Sequence, residues 1–208
     1  IGQRHMRNLL SLGHRVLMVC DPNPTRVAEI RRIDPEARFT ASEDEALSQP
    51  CDGLLICSPT AHHIPQLELA LANGKDVFVE KPLSHTLERT AALAAQAEQT
   101  GNVVLVDCSM RFFPSLQLVK QLVESGEVGR PLSARAFFSF YLPYWRPGSD
   151  YREGYGAQAK LGGGVILDNV HELDYMRWLF GTPVEVICMA GKVSQLEIDT
   201  EDLAAALV

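Results

Sequence analysis

The sequence predicts an α/β protein: a doubly wound parallel-sheet domain over residues 1–110, then an α+β domain with an open sheet over residues 111–208. Three observations carry this. Short continuous apolar runs alternate with helix-like segments through the first half, the pattern of a parallel sheet covered on both faces. The alternation stops near Arg111. After it come an aromatic-rich run, a long polar loop, one long helix and apolar runs that read as strands.

The elements follow in order. The chain opens at Ile1-Gly2 on a helical pattern with no strand before it. Arg15 to Cys20 reads as a strand. Thr25 to Ile33 reads as a helix with Thr25 as a candidate cap. Arg38 to Thr40 is a short strand and Gly53 to Cys57 a buried one. His63 to Asn73 is helical, with Gly74 placed to end it. Val77 to Val79 is the next strand. An alanine-rich helix runs from Leu87 to Thr100, closed by Gly101, and Val103 to Val106 is a further strand. Pro114 to Ser125 is a helix stopped by Gly126. Trp145 to Leu161 is too long for a simple connector. Ile166 to Phe180 reads as one amphipathic helix and Val184 to Val193 as a strand. The last residues, Leu203 to Val208, are an apolar run without a turn signal, so both ends read as cut.

Composition narrows the function classes. A net charge of −7 disfavours a phosphate-binding nucleic-acid partner. No apolar run is long enough to span a bilayer, and no signal peptide is visible. The five cysteines lack CxxC spacing and four lie in or beside apolar runs. They read as reduced, mostly buried thiols of a cytoplasmic protein.

Candidate chemistry begins at Glu80-Lys81-Pro82. The tripeptide follows the strand ending at Val79, so the Lys81 ammonium stands at the mouth of the sheet, where open α/β folds bind ligands. Burial there suits a lysine to acid/base work; a solvated loop lysine is the plainer alternative. Asp21 directly follows the strand ending at Cys20. An acidic residue at that position of a Rossmann-type domain bonds adenosine ribose hydroxyls and favours NAD over NADP. The same Asp21-Pro22-Asn23-Pro24 also reads as a simple turn. Gly2 fits the last glycine of a dinucleotide fingerprint whose earlier glycines are missing. Ser58-Pro59-Thr60 follows a strand and suits either a cofactor loop or a capped turn. His62 and His63 come next, in a place where a lone histidine usually faces solvent.

In the second half, Gly162-Gly163-Gly164 leads into a helix bearing Asp168, His171 and Asp174. A spacing of three puts these on one helical stripe. A histidine between carboxylates can accept a proton in a fixed tautomer; a satisfied polar stripe is the alternative. No second His or Cys lies at ligand spacing, so no metal is expected.

The order of these features resembles the Gfo/Idh/MocA family of nicotinamide-dependent oxidoreductases. It comprises Ser58-Pro59 with His63, Glu80-Lys81-Pro82, Arg111-Phe112 with Pro114, Gly126-Glu127-Val128-Gly129, and the glycine run into Asp168 and His171. The resemblance covers nearly the whole chain. It implies a Rossmann domain joined to an α+β domain and hydride transfer between NAD and a hydroxyl or keto carbon of a sugar, polyol or sugar derivative. It implies Lys81, His171 and Asp168 as catalytic residues: His171 takes the hydroxyl proton, Lys81 steadies the oxygen and Asp168 orients His171. Gly2, Asp21, Ser58, Pro59, Thr60, His63, Glu80 and Lys81 would meet the cofactor. Arg111, Trp145, Arg146 and Tyr151 are candidates for holding a small-molecule substrate, and a homo-oligomer is expected. Many members place the acidic residue four positions before the histidine, whereas Asp168 stands three before His171. Two alternatives remain: a non-catalytic NAD- or sugar-binding regulatory protein, and an NAD-dependent glycoside-cleaving enzyme.

Overall fold

The structure is a computed structural model that describes residues 1–208. The chain divides into two compact units. The first comprises residues 1–58, 63–79 and 88–105; the second comprises residues 59–62, 80–87 and 106–208. The division therefore falls near residue 106, a little before the expected 110. Two loops that follow parallel strands group with the C-terminal unit.

The N-terminal unit opens with α1 (Gly2–Ser11), followed by β1 (Met18–Cys20), α2 (Val27–Ile33) and β2 (Arg38–Thr40). Strands β1 and β2 pair in parallel, Val19 opposite Phe39. Met6 of α1, Ile30 of α2 and Ala37 form a buried cluster, with Leu10, Val16, Val19, Ile33 and Phe39 packed against it. The cap ahead of α2 is Asn23 rather than Thr25. Its side-chain oxygen accepts the Thr25 N–H at 3.0 Å, and a 3₁₀ turn over Pro24–Arg26 precedes the helix. A short helix α3 (Glu43–Leu47) lies inside a stretch that carried no expected element. Its signal is Ser42-Glu43-Asp44-Glu45, half of a capping box. The Ser42 hydroxyl accepts the Glu45 N–H at 3.2 Å, while the Glu45 carboxylate takes the Thr40 hydroxyl at 2.6 Å.

The sheet continues with β3 (Gly53–Ile56), α4 (His63–Ala72), β4 (Asp76–Val79), α5 (Thr90–Thr100) and β5 (Val104–Val106). Strands β3 and β4 are parallel, Leu54 opposite Val77, and β4 stands between β3 and β5. Ile56, Val77 and Val79 from the strands are buried, as are Leu67, Ala70, Leu71, Leu93 and Ala97 from the helices. Continuous apolar strands are what such double covering requires. Helix α5 begins later than the expected Leu87, because Arg89 takes a left-handed backbone (φ 62°) that interrupts helical geometry. No strand of the chain joins the β1–β2 pair to the β3–β4–β5 group. In the doubly wound order, the strand ahead of the first helix stands between two such groups.

The C-terminal unit contains α6 (Pro114–Ser125), α7 (Leu142–Trp145), α8 (Val165–Asp168), α9 (Val170–Phe180), β6 (Ile187–Gly191) and β7 (Leu203–Leu207). Pro114 opens α6 at its first position, where no amide donor is needed. The aromatic-rich run from Leu132 to Tyr144 forms no strand: residues 131–141 lack regular structure and its end lies in α7. The expected single helix over 166–180 is two helices, broken at Asn169 (φ −100°, ψ 31°). Residues 203–207 are a strand, antiparallel to β6 with Met189 opposite Ala205. All five cysteines are free. Cys20 and Cys188 are exposed and the other three only partly covered, so the expected burial of most thiols does not hold.

Candidate active site

The site is built where residues 80–87 meet the residues that follow the triple glycine, all within the C-terminal unit. Glu80 is buried. The Lys81–Pro82 peptide bond is cis. The Lys81 side chain is only 14% exposed, and its ammonium donates to the Asp168 carbonyl at 2.6 Å. The same nitrogen lies 3.7 Å from Asp168 Oδ1. An ammonium has three N–H donors, so one bond to a carbonyl leaves others to meet a substrate oxygen.

Asp168 carries a second partner that sequence reasoning missed. The Tyr155 hydroxyl donates to Asp168 Oδ1. Tyr155 sits in a 3₁₀ turn over Tyr155–Ala157, and burial, then the Asp168 carboxylate, hold its phenol well above the ordinary range. It is therefore a permanent donor near neutrality. The Arg146 guanidinium lies over the Tyr155 ring, 5.7 Å from its centre. The only hint in the sequence is Gly154-Tyr155-Gly156, an aromatic between glycines ahead of the triple glycine.

The triple glycine explains how these groups approach. Gly162 has φ +75°, and a Cβ there would stand 2.8 Å from Thr60 Cβ and 3.0 Å from His85 Cβ. A Cβ at Gly163 would lie 2.2 Å from the Tyr155 carbonyl oxygen. Gly164 has φ +111°, and a Cβ there would lie 2.3 Å from the Glu201 carboxylate, which accepts the Ile166 N–H at 3.1 Å. At Gly163 the neighbours are backbone and leave no room for a Cβ, while at Gly162 and Gly164 the positive φ itself favours glycine.

His171 follows the break at Asn169, on the first turn of α9. Burial, then the Lys81 charge, push its imidazole pKa down, against smaller opposing effects of Asp107, Glu80 and Asp174. Asp168 makes no hydrogen bond to it: the carboxylate is taken by Tyr155 and Lys81. The expected orienting pair is thus replaced by other partners, because the helix break removes the i, i+3 register of a continuous helix. Asp174 grips Arg111 with two bonds, Nε to Oδ2 at 2.9 Å and Nη2 to Oδ1. That pairing commits the Arg111 guanidinium to a tie between α9 and the 3₁₀ turn over Ser109–Phe112. Beside it, burial and then the Asp174 carboxylate push the Cys108 thiol up to about 11.

Other expected substrate residues have protein partners. The Trp145 ring meets Phe138 and Phe140 edge to face at 5.4 and 5.2 Å. The Tyr151 hydroxyl accepts the Glu197 N–H at 3.2 Å. Thr60 is buried beneath Gly162, and the Pro59 carbonyl accepts the His62 N–H at 2.9 Å.

In the N-terminal unit, Asp21 follows β1 and its Oδ1 accepts the Asn23 N–H at 2.8 Å, which fixes the carboxylate and leaves Oδ2. Helix α1 starts at Gly2 with no side-chain cap and no acidic residue in its first turn, a condition that favours an anion there. A Cβ on Gly2 would meet Cys57 Cβ at 3.5 Å, ordinary contact, so close packing does not demand glycine. Ser58 donates to Gln66 at 2.7 Å. His63 is 1% exposed and its Nε2 lies 2.9 Å from the Ser58 carbonyl. It braces the loop from behind rather than facing solvent. This donor set fits a dinucleotide: an acid at the end of a strand for ribose hydroxyls and a helix N-terminus for phosphate.

Fold and donor set together define a Rossmann-type dinucleotide-binding domain joined to an α+β domain. Residues 1–108 match the model of the oxidoreductase family with an NAD-binding Rossmann fold, and residues 116–208 match the GFO/IDH/MocA C-terminal domain. The chain belongs to the Gfo/Idh/MocA oxidoreductase family, and its N-terminal domain is that family's NAD-binding fold. It is 27% identical over 197 residues to scyllo-inositol 2-dehydrogenase (NAD(+)) of Bacillus subtilis, covering 93% of this chain and 55% of that protein. It is likewise 27% identical to myo-inositol 2-dehydrogenase of Thermotoga maritima, covering 93% of this chain and 56% of that one. The chain spans about half the length of the curated relatives it matches. Its fold is similar to the WlbA dehydrogenase of Bordetella pertussis, solved with NADH and UDP-GlcNAcA. The TM-score is 0.86 at 23% identity, covering 99% of this chain and 64% of that one. No helix is long and apolar enough to cross a membrane.

Proposed function

We propose that the whole protein is an NAD-dependent oxidoreductase acting on a hydroxyl or keto carbon of a sugar, polyol or sugar derivative. The observation that carries this is the Lys81 ammonium, sheltered from water and anchored on Asp168, with an imidazole of lowered pKa nearby. When bound, NAD supplies hydride acceptance. The chain's own groups manage the proton. His171 is neutral near pH 7 and accepts the hydroxyl proton as the carbon gives up its hydride. The Lys81 ammonium donates to the same oxygen and offsets its developing negative charge. In the reverse direction protonated His171 returns the proton, and Lys81 keeps the same hydrogen bond to the oxygen. Asp21 would receive ribose hydroxyls and repel a 2′-phosphate, favouring NAD over NADP. Relatives named as inositol dehydrogenases support a polyol substrate. A cytoplasmic place agrees with five free cysteines. A homo-oligomer agrees with the apolar residues exposed on β6 and β7, among them Ile187, Met189 and Leu207.

The test is NADH formation by full-length protein over a panel of inositols, other polyols, sugars and nucleotide sugars. Turnover with at least one of them is expected. Bound NAD without turnover on any would favour a regulatory binding protein. Free sugar released without net NADH would point to glycoside cleavage.

A further inference from the structure

We propose that Tyr155 is a positioning residue of this site: its hydroxyl holds the Asp168 carboxylate against Lys81, so that Asp168 serves the lysine rather than His171. The inference rests on the reading of Lys81 given above. Its basis is geometric. One carboxylate oxygen, Asp168 Oδ1, receives the Tyr155 hydroxyl and also faces the Lys81 ammonium at 3.7 Å. Rotation of the carboxylate toward another partner would break the first contact and lengthen the second. The other oxygen, Oδ2, stands 3.1 Å from where a Gly156 Cβ would be. A side chain on the residue after Tyr155 would crowd Asp168 and push its carboxylate aside by a few tenths of an ångström.

Tyr155 itself is fixed by its backbone. The Gly156 carbonyl accepts the Gly164 N–H at 3.0 Å and the Thr200 hydroxyl at 3.1 Å. The Tyr155 carbonyl abuts Gly163 too closely for any Cβ. Arg146 lies over the ring. The phenol is thus placed by a rigid turn, and a rigid donor transmits its position to whatever it bonds. The ammonium of Lys81 is anchored on the same aspartate through the backbone carbonyl. Tyr155, Asp168 and Lys81 form one chain of contacts, and its free end is the ammonium that meets substrate oxygen. His171 stands outside that chain.

Two measurements on full-length protein test this. The first needs no turnover: the ¹³Cζ resonance of Tyr155, assigned with Tyr155→Phe, is followed through a pH titration. The phenol should resist ionisation beyond the ordinary value near about 10, and Asp168→Asn should bring it part of the way back. Ionisation at the ordinary value in both proteins would overturn the proposal. The second is kinetic. Tyr155→Phe should lower kcat by about 10-fold to 100-fold through misplacement of the lysine, with KM and the NAD dissociation constant unchanged. In the Asp168→Asn background the same change should cost nothing further, because residues acting through one contact are not additive. Losses that multiply would overturn the proposal, and so would a loss confined to melting temperature. Where Tyr155→Phe does not accumulate folded, the resonance is assigned by through-bond correlation to its own backbone, and the Asp168→Asn titration still decides. Absent turnover with the titration as expected would count against the dehydrogenase reading and leave the hold of Tyr155 on Asp168 standing.

Discussion

At the residue scale, His171 gives the clearest link between environment and chemistry. Its imidazole is disfavoured as a cation by burial and by the Lys81 charge. In the proposed mechanism the neutral form accepts the proton, so activity should persist below the value near about 6.5 of a free imidazole. As pH falls through the lowered pKa, the base is protonated and the rate declines. The acid limb of kcat/KM should therefore lie below that value and disappear in His171→Ala. An acid limb above it would show that another group governs the profile. Asp21 carries a second prediction. Asp21→Ala should narrow the preference for NAD over NADP, read from titrations of both cofactors. An unaltered protein that binds the two equally would remove the role given to this carboxylate.

Among the elements, the triple glycine and the helix break carry most of the site. The glycine run was legible in the sequence as a signal, yet the reason for it lay in long-range contacts. Tyr155, Thr60, His85 and Glu201 all press on it from other parts of the chain. Spacing also suggested one helix through Asp168 and His171. The break at Asn169 separates them, and the carboxylate finds Tyr155 and Lys81 instead. Local pattern reads helical faces well when a helix is continuous, and it carries no sign of tertiary partners that interrupt one. Gly163→Ala should cost about 1–3 kcal/mol of stability, because backbone must shift to admit the methyl group. It should also lower turnover, since Tyr155 moves with it. Gly126→Ala is the control: φ is +73° with open space around it, and the left-handed backbone costs about 1–2 kcal/mol. Denaturant melts should show both losses, and only Gly163→Ala should change kcat. A Gly163→Ala protein with full turnover would contradict the packing argument.

On the scale of the whole molecule, the parallel strands were legible because continuous apolar runs have few alternatives. Strands β2, β3 and β4 lie close to their expected positions, whereas β1 and β6 are shorter than their apolar runs. The aromatic-rich run from Leu132 to Tyr144 joins no sheet and ends in the short helix α7. The unit boundary was legible only approximately. A linear reading assigns residues 59–62 and 80–87 to the first domain, but their contacts lie with the second. The lysine at the end of a Rossmann strand belongs, through Asp168, to the C-terminal unit, and its proposed work is on the substrate oxygen rather than in holding the cofactor. The most direct test is Lys81→Ala in full-length protein, with turnover and NAD binding measured side by side. The expected result is a loss of roughly 10² to 10⁴ in kcat with the NAD dissociation constant little changed. A loss of less than about tenfold, well below that range, or a parallel loss of NAD affinity, would contradict it.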